Sequence, residues 1–228
     1  MTVSVRPDVA RWRRTGFPEV VLAEGKSIEE IERALRRLLR ADGLAIVSRL
    51  DPDRRERLEL PDEVEVEYDG RARLLIARAP GYDPPYRGGR VAALAAGTSD
   101  LPYLREATLI LEAMGVKTRE WVDVGLAGPH RFFTALRELR EFRPHAVIVA
   151  AGMDGHLPIA VNALVDVPVI GLPTPSGYGA GGSGEAALLS MLQTCSPGLT
   201  VVNVGNGVGA AAAAAKIVRT VLREGGND

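Results

Sequence analysis

The chain's only cysteine, Cys195, lies between two glycine-rich segments, at residues 173–184 and 203–209. Glycine has no Cβ, so such segments allow the backbone to approach a ligand closely. A thiol between two of them is a candidate nucleophile. An isolated cysteine is more often a small buried apolar residue. The sequence therefore leaves two interpretations open, a catalytic thiol and a core side chain.

A carboxylate and two histidines form a second set of candidate residues. Asp154, in the segment AAGMDGHLP, follows a predicted strand. It could act as a general base or could cap the following turn. We expect His130 and His156 beside Arg131 and Asp154 at the ligand-binding edge of a sheet, and His145 at the surface. A zinc site would need three or four closely spaced ligands, which this pattern does not supply.

The segment Gly97-Thr98-Ser99-Asp100 falls where a predicted strand gives way to a helix. Free N–H groups at a helix start, together with two hydroxyls, suit a phosphate group. The same residues could simply cap their own helix. The chain has no GxGxxG after its first strand, which argues against an ordinary dinucleotide dehydrogenase, and it has no GxxxxGK[ST] phosphate loop.

Strands and helices alternate from Arg90 onward. Five apolar segments, each followed by a helix, predict a parallel sheet covered on both faces. Ligands of such sheets bind beyond the carboxyl ends of the strands, where the glycine-rich segments fall. The predicted strands are residues 91–97, 116–124, 146–152, 168–173 and 199–205. The predicted helices are residues 100–114, 129–141, 158–164, 184–194 and 209–223.

The residues before this region predict a smaller unit. A strand at residues 19–23 precedes a helix that Ser27 and Glu30 begin as a capping box and Gly43 ends. A further strand at residues 44–48 and a hairpin with a tight turn at Asp69-Gly70 follow. We predict an α/β chain with a small amino-terminal α+β domain at residues 1–87. A flavodoxin-like parallel sheet of five strands, with helices on both faces, forms the second domain at residues 88–228.

Composition narrows the class of protein. The 228 residues are 46% apolar and 25% charged, as in an ordinary globular protein. The formal net charge of -1 gives no electrostatic reason to bind nucleic acid or an anionic membrane. One cysteine excludes an internal disulfide and suits a reducing compartment. The first 16 residues lack the apolar core of a secretory signal, so we expect a cytoplasmic protein.

Taken together, six segments resemble the LarB family, which makes pyridinium-3,5-biscarboxylic acid mononucleotide during nickel-pincer nucleotide biosynthesis. The second domain of that family is similar to the purine-pathway aminoimidazole ribonucleotide carboxylases. The matching segments are GFPEVVLAEGK (residues 16–26), AGTSD (96–100), DVGLAGPHR (123–131), VAAGMDGHLP (149–158), PVIGLPTPSGYG (168–179) and AALLSMLQTCSPGLTVVNVGNGVGA (186–210).

The resemblance implies an enzyme that adds CO2 to C5 of the pyridinium ring of nicotinic acid adenine dinucleotide and hydrolyses the phosphoanhydride, releasing AMP. It implies Cys195 as a transient covalent nucleophile and Asp154 as the base. It also implies a homo-oligomer, an octamer being possible, and Mg2+ as cofactor, with Asp100 as a metal contact. The substrate-binding residues that we expect are Thr98, Ser99, Asp100, His130, Arg131, His156, Ser176, Gly177, Tyr178, Asn203 and Asn206.

Three positions differ from the family's usual pattern. Asp154 stands where the family has glutamate, His156 where it has alanine, and Gly205 where it has aspartate. The resulting GHLP segment is similar to the purine-pathway enzymes. A second hypothesis is therefore an aminoimidazole ribonucleotide carboxylase or an N5-carboxyaminoimidazole ribonucleotide mutase. A third is a nucleotide-binding protein without catalytic activity.

Overall fold

The computed structural model describes residues 5–224. The chain divides into two compact units, one ending at Pro84 and the other beginning at Pro85. Each unit has its own sheet. Within residues 5–224, every helix is too short or too polar to span a bilayer.

The first unit is a four-stranded sheet with one long helix packed on it. Its elements are α1 (Arg11–Thr15), β1 (Val20–Leu22), α2 (Ile28–Asp42), β2 (Leu44–Ser48), α3 (Pro52–Glu56), β3 (Glu65–Asp69) and β4 (Leu74–Arg78). The strand order is β1-β2-β4-β3, with β1 parallel to β2 and the other pairs antiparallel. Apolar side chains of α2, including Leu35 and Leu38, form a core with Val47 and Leu75 of the sheet.

The predicted capping box at the start of α2 is confirmed. The Ser27 hydroxyl accepts a hydrogen bond from the Glu30 N–H at 3.3 Å, and the Glu30 carboxylate accepts one from the Ser27 N–H at 2.8 Å. At the other end, Gly43 has a φ of 69° and donates its N–H to the Leu39 carbonyl. Both ends of the helix therefore follow from local sequence.

The hairpin between β3 and β4 is confirmed, but its tight turn at Asp69-Gly70 is wrong. Asp69 pairs with Leu74, which leaves a loop of four residues between the strands. The Asp69 carboxylate accepts hydrogen bonds from the N–H groups of Arg71 and Ala72, at 2.9 and 2.8 Å. These bonds stabilise a longer loop than the Asp-Gly pair predicts, because the carboxylate takes the place of a backbone acceptor.

The second unit confirms the predicted α/β architecture. Its elements are β5 (Arg90–Ala95), α4 (Leu101–Ala113), β6 (Lys117–Val122), α5 (Pro129–Phe142), β7 (Ala146–Ala151), α6 (His156–Asn162), β8 (Val169–Pro173), a 3-10 turn (Gly179–Gly181), α7 (Glu185–Leu192), β9 (Thr200–Val201) and α8 (Gly207–Glu224). The five strands are all parallel, in the order β6-β5-β7-β8-β9. Helices α4 and α8 pack together on one face, and α5, α6 and α7 contribute to the core on the other.

Several element bounds differ from the sequence prediction, and those of α6, α8 and β9 adjoin loops that hold predicted site residues. Helix α6 begins at His156, because Gly155 turns the chain with a φ of 64° and Pro158 is tolerated in a first turn. Helix α8 begins at Gly207, because the Asn206 carboxamide accepts the Gly209 N–H. Strand β9 is limited to two residues, Thr200 and Val201.

His145 is not the plain surface residue that the sequence suggested. It is half-buried at the amino end of β7, and its Nδ1 accepts a hydrogen bond from the Arg90 N–H at 3.1 Å. Burial and the nearby Arg90 guanidinium together lower the pKa of His145. The neutral ring therefore joins two chain segments at the edge of the sheet opposite the glycine-rich loops.

The capping box should contribute to the stability of the first unit. Replacement of Ser27 by alanine removes one acceptor from the start of α2 and should lower the free energy of unfolding by about 1 kcal/mol. Ser27→Asp is the matched control, because aspartate caps helices about as well as serine. Urea unfolding of the two variants measures the difference, and equal midpoints would contradict the prediction.

Candidate functional site at the carboxyl edge of the parallel sheet

The loops that follow the strands of the second unit meet at the carboxyl edge of the sheet. The chain leaves β5 in one direction to form β6 and returns to β7 on the other side, so the switch point lies between β5 and β7. Gly125 donates its N–H to the Ala96 carbonyl at 2.9 Å, which joins the loops after β6 and β5. Gly205 donates to the Pro173 carbonyl at 2.8 Å, which joins the loops after β9 and β8. Open α/β sheets bind ligands at such switch points.

Asp100 is the buried centre of this edge. One carboxylate oxygen accepts hydrogen bonds from the hydroxyls of Thr174 and Ser176, and the other accepts the Gly97 N–H at 2.9 Å. The two hydroxyl oxygens are themselves 2.5 Å apart. Asp100 is 5% exposed and Thr174 is fully buried. Asp100 therefore does not simply cap its own helix, since its carboxylate joins the loop after β5 to the loop after β8.

This contact crosses the end of β7, which lies between β5 and β8 in the sheet. Gly152 follows β7 directly, and a Cβ there would be 2.6 Å from the Ser176 hydroxyl oxygen and 3.0 Å from that of Thr174. Real Cβ atoms do not come this close, so only glycine allows the hydroxyls of Thr174 and Ser176 to cross above the strand. The glycine at this position therefore serves a contact between two loops of the protein.

The other predicted phosphate-binding residues lie on the same edge with accessible side chains. Thr98 and Ser99 are exposed in the loop after β5, and His130 is exposed in the first turn of α5. Arg131 forms an ion pair with Asp123, which has a φ of 62° at the end of β6. The hydroxyls and the guanidinium could contact a phosphate, but the guanidinium is already held by a carboxylate.

Asp154 and His156 form a hydrogen-bonded pair in the loop after β7. One Asp154 oxygen is 2.8 Å from His156 Nδ1, and the other accepts the His156 N–H at 3.3 Å. Partial burial raises the pKa of Asp154, but the two hydrogen bonds and, when the ring is protonated, the charge of His156 outweigh burial, so that the pKa lies below its ordinary value. Both side chains are largely exposed. Asp154 thus contacts the turn that follows it as well as the imidazole.

The remaining predicted contacts lie in the loops after β8 and β9. Tyr178 is 80% exposed, and Gly177 packs against the backbone of the loop after β7. Asn203 is exposed and accepts the Val204 N–H through its carboxamide oxygen, at 2.9 Å. Asn206 caps α8, so its carbonyl oxygen is occupied while its NH2 group is not used by that cap.

Cys195 is exposed, which excludes a buried core side chain, but it does not lie at this edge. Helix α7 runs back along the sheet, with Ala187 near Gly155 and Met191 near Gly171 in the middle of β8. Cys195 follows α7 and precedes β9, which is parallel to β8. Its loop therefore leads to the amino end of β9, on the opposite side of the sheet from Asp154.

The residues of the carboxyl edge do not by themselves fit a resident Mg2+. No group of three histidine, cysteine, aspartate or glutamate side chains in residues 5–224 could hold a metal ion. The predicted contact, Asp100, uses both carboxylate oxygens in hydrogen bonds to Gly97, Thr174 and Ser176. Mg2+ commonly binds through one or two carboxylates plus substrate phosphates. Mg2+ as a cofactor therefore stays a prediction.

Sequence reasoning missed two residues of this edge, Thr174 and Asp123. The position of Thr174 could have been predicted from the sequence, because it is the first residue after a buried strand and so falls at the ligand-binding edge. Asp123 occupies the corresponding place after β6. Their partners could not be found in the same way, since Thr174 and Asp100 are 74 residues apart in the chain.

Comparison with known proteins agrees with this architecture. The profile of the AIR carboxylase family matches residues 90–224, well over half of the chain. A LarB/PurE-like N-terminal domain matches residues 2–79. The chain belongs to the AIR carboxylase family. Its two domains together have the arrangement of a LarB-like protein, with the PurE-like domain second.

Three curated relatives show how far the similarity extends within this family. An uncharacterized protein of Methanocaldococcus jannaschii is 40% identical over 220 residues, covering 93% of this chain and 83% of the relative. The N5-carboxyaminoimidazole ribonucleotide mutase of Pyrococcus abyssi is 34% identical over 51% of this chain and 64% of the mutase. The mutase of Thermotoga maritima is 32% identical over 37% of this chain and 49% of that protein. Both mutases are thus matched over less than two thirds of their length.

The buried contact of Asp100 predicts the effect of removing one hydroxyl. Thr174→Val preserves the side-chain shape but leaves the buried carboxylate without one donor, and should lower the free energy of unfolding by about 1–3 kcal/mol. Thr174→Ser retains the hydroxyl and should cost less. Thermal and urea unfolding of both variants test this, and a valine variant as stable as the serine variant would show that the hydroxyl is dispensable.

Proposed function

We propose that this protein carboxylates C5 of the pyridinium ring of nicotinic acid adenine dinucleotide through a transient adduct with Cys195. Hydrolysis of the phosphoanhydride then gives pyridinium-3,5-biscarboxylic acid mononucleotide and AMP. CO2 is the co-substrate, and Mg2+ accompanies the diphosphate of the substrate. The observation that carries the proposal is an exposed thiol, Cys195, in a chain whose two domains match a LarB-like protein.

The chemistry explains why a thiol is needed. C5 of a pyridinium cation is too electron-poor to attack CO2. Addition of a thiolate at C4 removes the aromatic cation and gives a dihydropyridine, which is an enamine with a nucleophilic C5. Nucleophilic catalysis of this kind divides one difficult step into easier ones. The sulfur of Cys195 is the thiol that this chain offers.

The position of Cys195 also bears on how the thiolate forms. The sulfur lies three residues after the end of α7, where the helix dipole disfavours a negative charge. The pyridinium cation of the substrate, once it is bound beside the sulfur, favours the thiolate instead. The thiol therefore becomes reactive when substrate is present.

A second copy of the chain is needed to complete such a site. Cys195 lies toward the amino ends of the strands, whereas Asp154 and His156 lie at the carboxyl edge of the same sheet. Leu189 and Leu192 belong to α7, the helix that precedes Cys195, and are 63% and 62% exposed. Large side chains exposed one helical turn apart are typical of a surface that another protein covers. The homo-oligomer that we propose covers these leucines and brings Cys195 of one copy to the carboxyl edge of another.

A second candidate function is that of an N5-carboxyaminoimidazole ribonucleotide mutase. The mutases of Pyrococcus abyssi and Thermotoga maritima are 34% and 32% identical to parts of this chain. This reaction would also use the loops of the carboxyl edge, but it gives no role to Cys195. The effect of replacing this cysteine therefore separates the two functions.

The first test is a product analysis with and without the thiol. Incubation with nicotinic acid adenine dinucleotide, bicarbonate and Mg2+ should yield AMP and a mononucleotide heavier by one carboxylate, as measured by mass spectrometry. Cys195→Ser should reduce carboxylation at least a hundredfold, because a hydroxyl is a far weaker nucleophile than a thiolate. Conversion of N5-carboxyaminoimidazole ribonucleotide that is unaffected by Cys195→Ser would favour the mutase instead.

The second test asks whether the site is shared between copies. Cys195→Ser and His156→Ala are each expected to be inactive alone. Oligomers assembled from a mixture of the two should recover activity, since some sites then combine an intact Cys195 with an intact carboxyl edge. Mixtures of Cys195→Ser with the wild-type chain provide the reference for assembly. Mixtures without any recovery would place both residues of a site in one chain.

A further inference from the structure

We propose that His156 is the catalytic residue that removes the C5 proton, and that Asp154 positions it. This inference rests on the proposed function, because it assigns one proton transfer of that reaction. It changes the assignment expected from the sequence, in which Asp154 was the base. The two roles differ in one observable respect: only the base exchanges a proton with the substrate.

The contact between the two side chains fixes the imidazole. Asp154 approaches His156 Nδ1 to 2.8 Å with one oxygen and accepts the His156 N–H at 3.3 Å with the other. The carboxylate therefore contacts both the ring and the backbone of the same residue. With Nδ1 turned toward Asp154, Nε2 on the other side of the ring faces away from the carboxylate.

The charge of Asp154 decides which ring nitrogen carries the proton. An ionised carboxylate can only accept hydrogen bonds, so the nitrogen that faces it must be protonated. In the neutral ring Nε2 then has a free lone pair and can accept a proton. The hydrogen bonds that lower the pKa of Asp154 keep this carboxylate ionised. The same low pKa makes Asp154 itself a poor proton acceptor.

Close contacts at two glycines, one in the loop that carries the pair and one in the loop after β8, hold this loop in place. Gly155 has a φ of 64°, and a Cβ on it would be 2.7 Å from the Ala187 carbonyl oxygen of α7. A Cβ added to Gly177 would be 3.1 Å from the backbone nitrogen of Met153. These close contacts fix the backbone on both sides of Asp154. Proton transfer requires such fixed geometry, because the acceptor must lie within hydrogen-bond reach of its proton.

The proposed step is balanced without an oxidant or a reductant. After C5 has attacked CO2, it carries both the new carboxylate and its original hydrogen, and C4 still carries the sulfur. His156 Nε2 takes the proton from C5. The electron pair of the C5–H bond becomes the C4–C5 π bond, and the C4–S pair leaves with the sulfur as thiolate. The ring is again an aromatic pyridinium cation, and the imidazolium later returns its proton to water.

The test compares three variants of the full-length protein on the same substrate. His156→Ala should lower the rate of carboxylation about 10²- to 10⁴-fold, the usual contribution of a general base. Asp154→Asn should lower it by a smaller factor, about tenfold to a hundredfold, because the imidazole stays but is no longer fixed. Asp166→Asn is the matched control, since Asp166 is an exposed aspartate of the same unit in the loop between α6 and β8.

Two further measurements separate catalysis from structure. Added imidazole should raise the carboxylation rate of His156→Ala at least tenfold and should leave the rate of Asp154→Asn unchanged. A variant that is inactive because its structure is damaged would not respond to imidazole. Nitrogen NMR of the wild-type protein should show His156 protonated at Nδ1, and Asp154→Asn should shift that proton toward Nε2. Melting temperatures of the variants, with His156→Gln as a larger replacement, show whether the fold is retained.

Each outcome distinguishes this inference from the proposed function. Wild-type protein that forms no carboxylated mononucleotide would overturn the proposed function itself. Wild-type activity together with a fully active His156→Ala variant, or with a larger loss in Asp154→Asn than in His156→Ala, would overturn only the role of His156. Loss of activity in His156→Ala that imidazole restores would support both.

Discussion

The buried carboxylate of Asp100 is the interaction on which the carboxyl edge depends. Its partners come from two loops, Gly97 after β5 and Thr174 and Ser176 after β8, and Gly152 directly follows the strand between them. A buried carboxylate is stable only if its oxygens are hydrogen-bonded, so the loss of any one partner should destabilise the contact. The two strands whose loops this contact joins, β5 and β8, lie two strand spacings apart, roughly 10 Å. It holds the loop of Ser176 to Tyr178 over the end of β7, and therefore sets the shape of any ligand cavity there.

Local sequence was sufficient where the physical cause is local. The capping box of α2 and its glycine end, the alternation of strands and helices, and the parallel sheet were all predicted from neighbouring residues. The length of the Asp69 loop was not, since one side chain competes with a backbone turn. The prediction that His145 lies at the surface was wrong for a related reason, because its hydrogen-bond partner Arg90 is 55 residues away in the chain. Contacts of the Asp100 type depend on strand order, which the spacing of segments does not give.

Cys195 shows that a residue between two glycine-rich loops in the sequence need not lie at the same edge of the sheet as those loops. Parallel topology places every strand-to-helix loop on one side and every helix-to-strand loop on the other. Thr98, Asp154 and Ser176 belong to the first kind, and Cys195 to the second. The reaction that we propose uses residues of both kinds and therefore needs two copies of the chain. Leu189 and Leu192 of α7 are exposed, and we propose that the second copy covers them.

The pair Asp154–His156 also offers a reason for two of the departures from the LarB pattern. The resemblance implies glutamate and alanine at these positions, and here aspartate and histidine are hydrogen-bonded to each other. Aspartate is one methylene shorter than glutamate, so its carboxylate reaches less far toward a substrate. In the mechanism that we propose, the imidazole of His156 extends this reach, and the proton acceptor is Nε2 instead of a carboxylate oxygen. Under that proposal the two differences form one change, because Asp154 alone would be a base that is too short and His156 alone would be a ring that is not fixed.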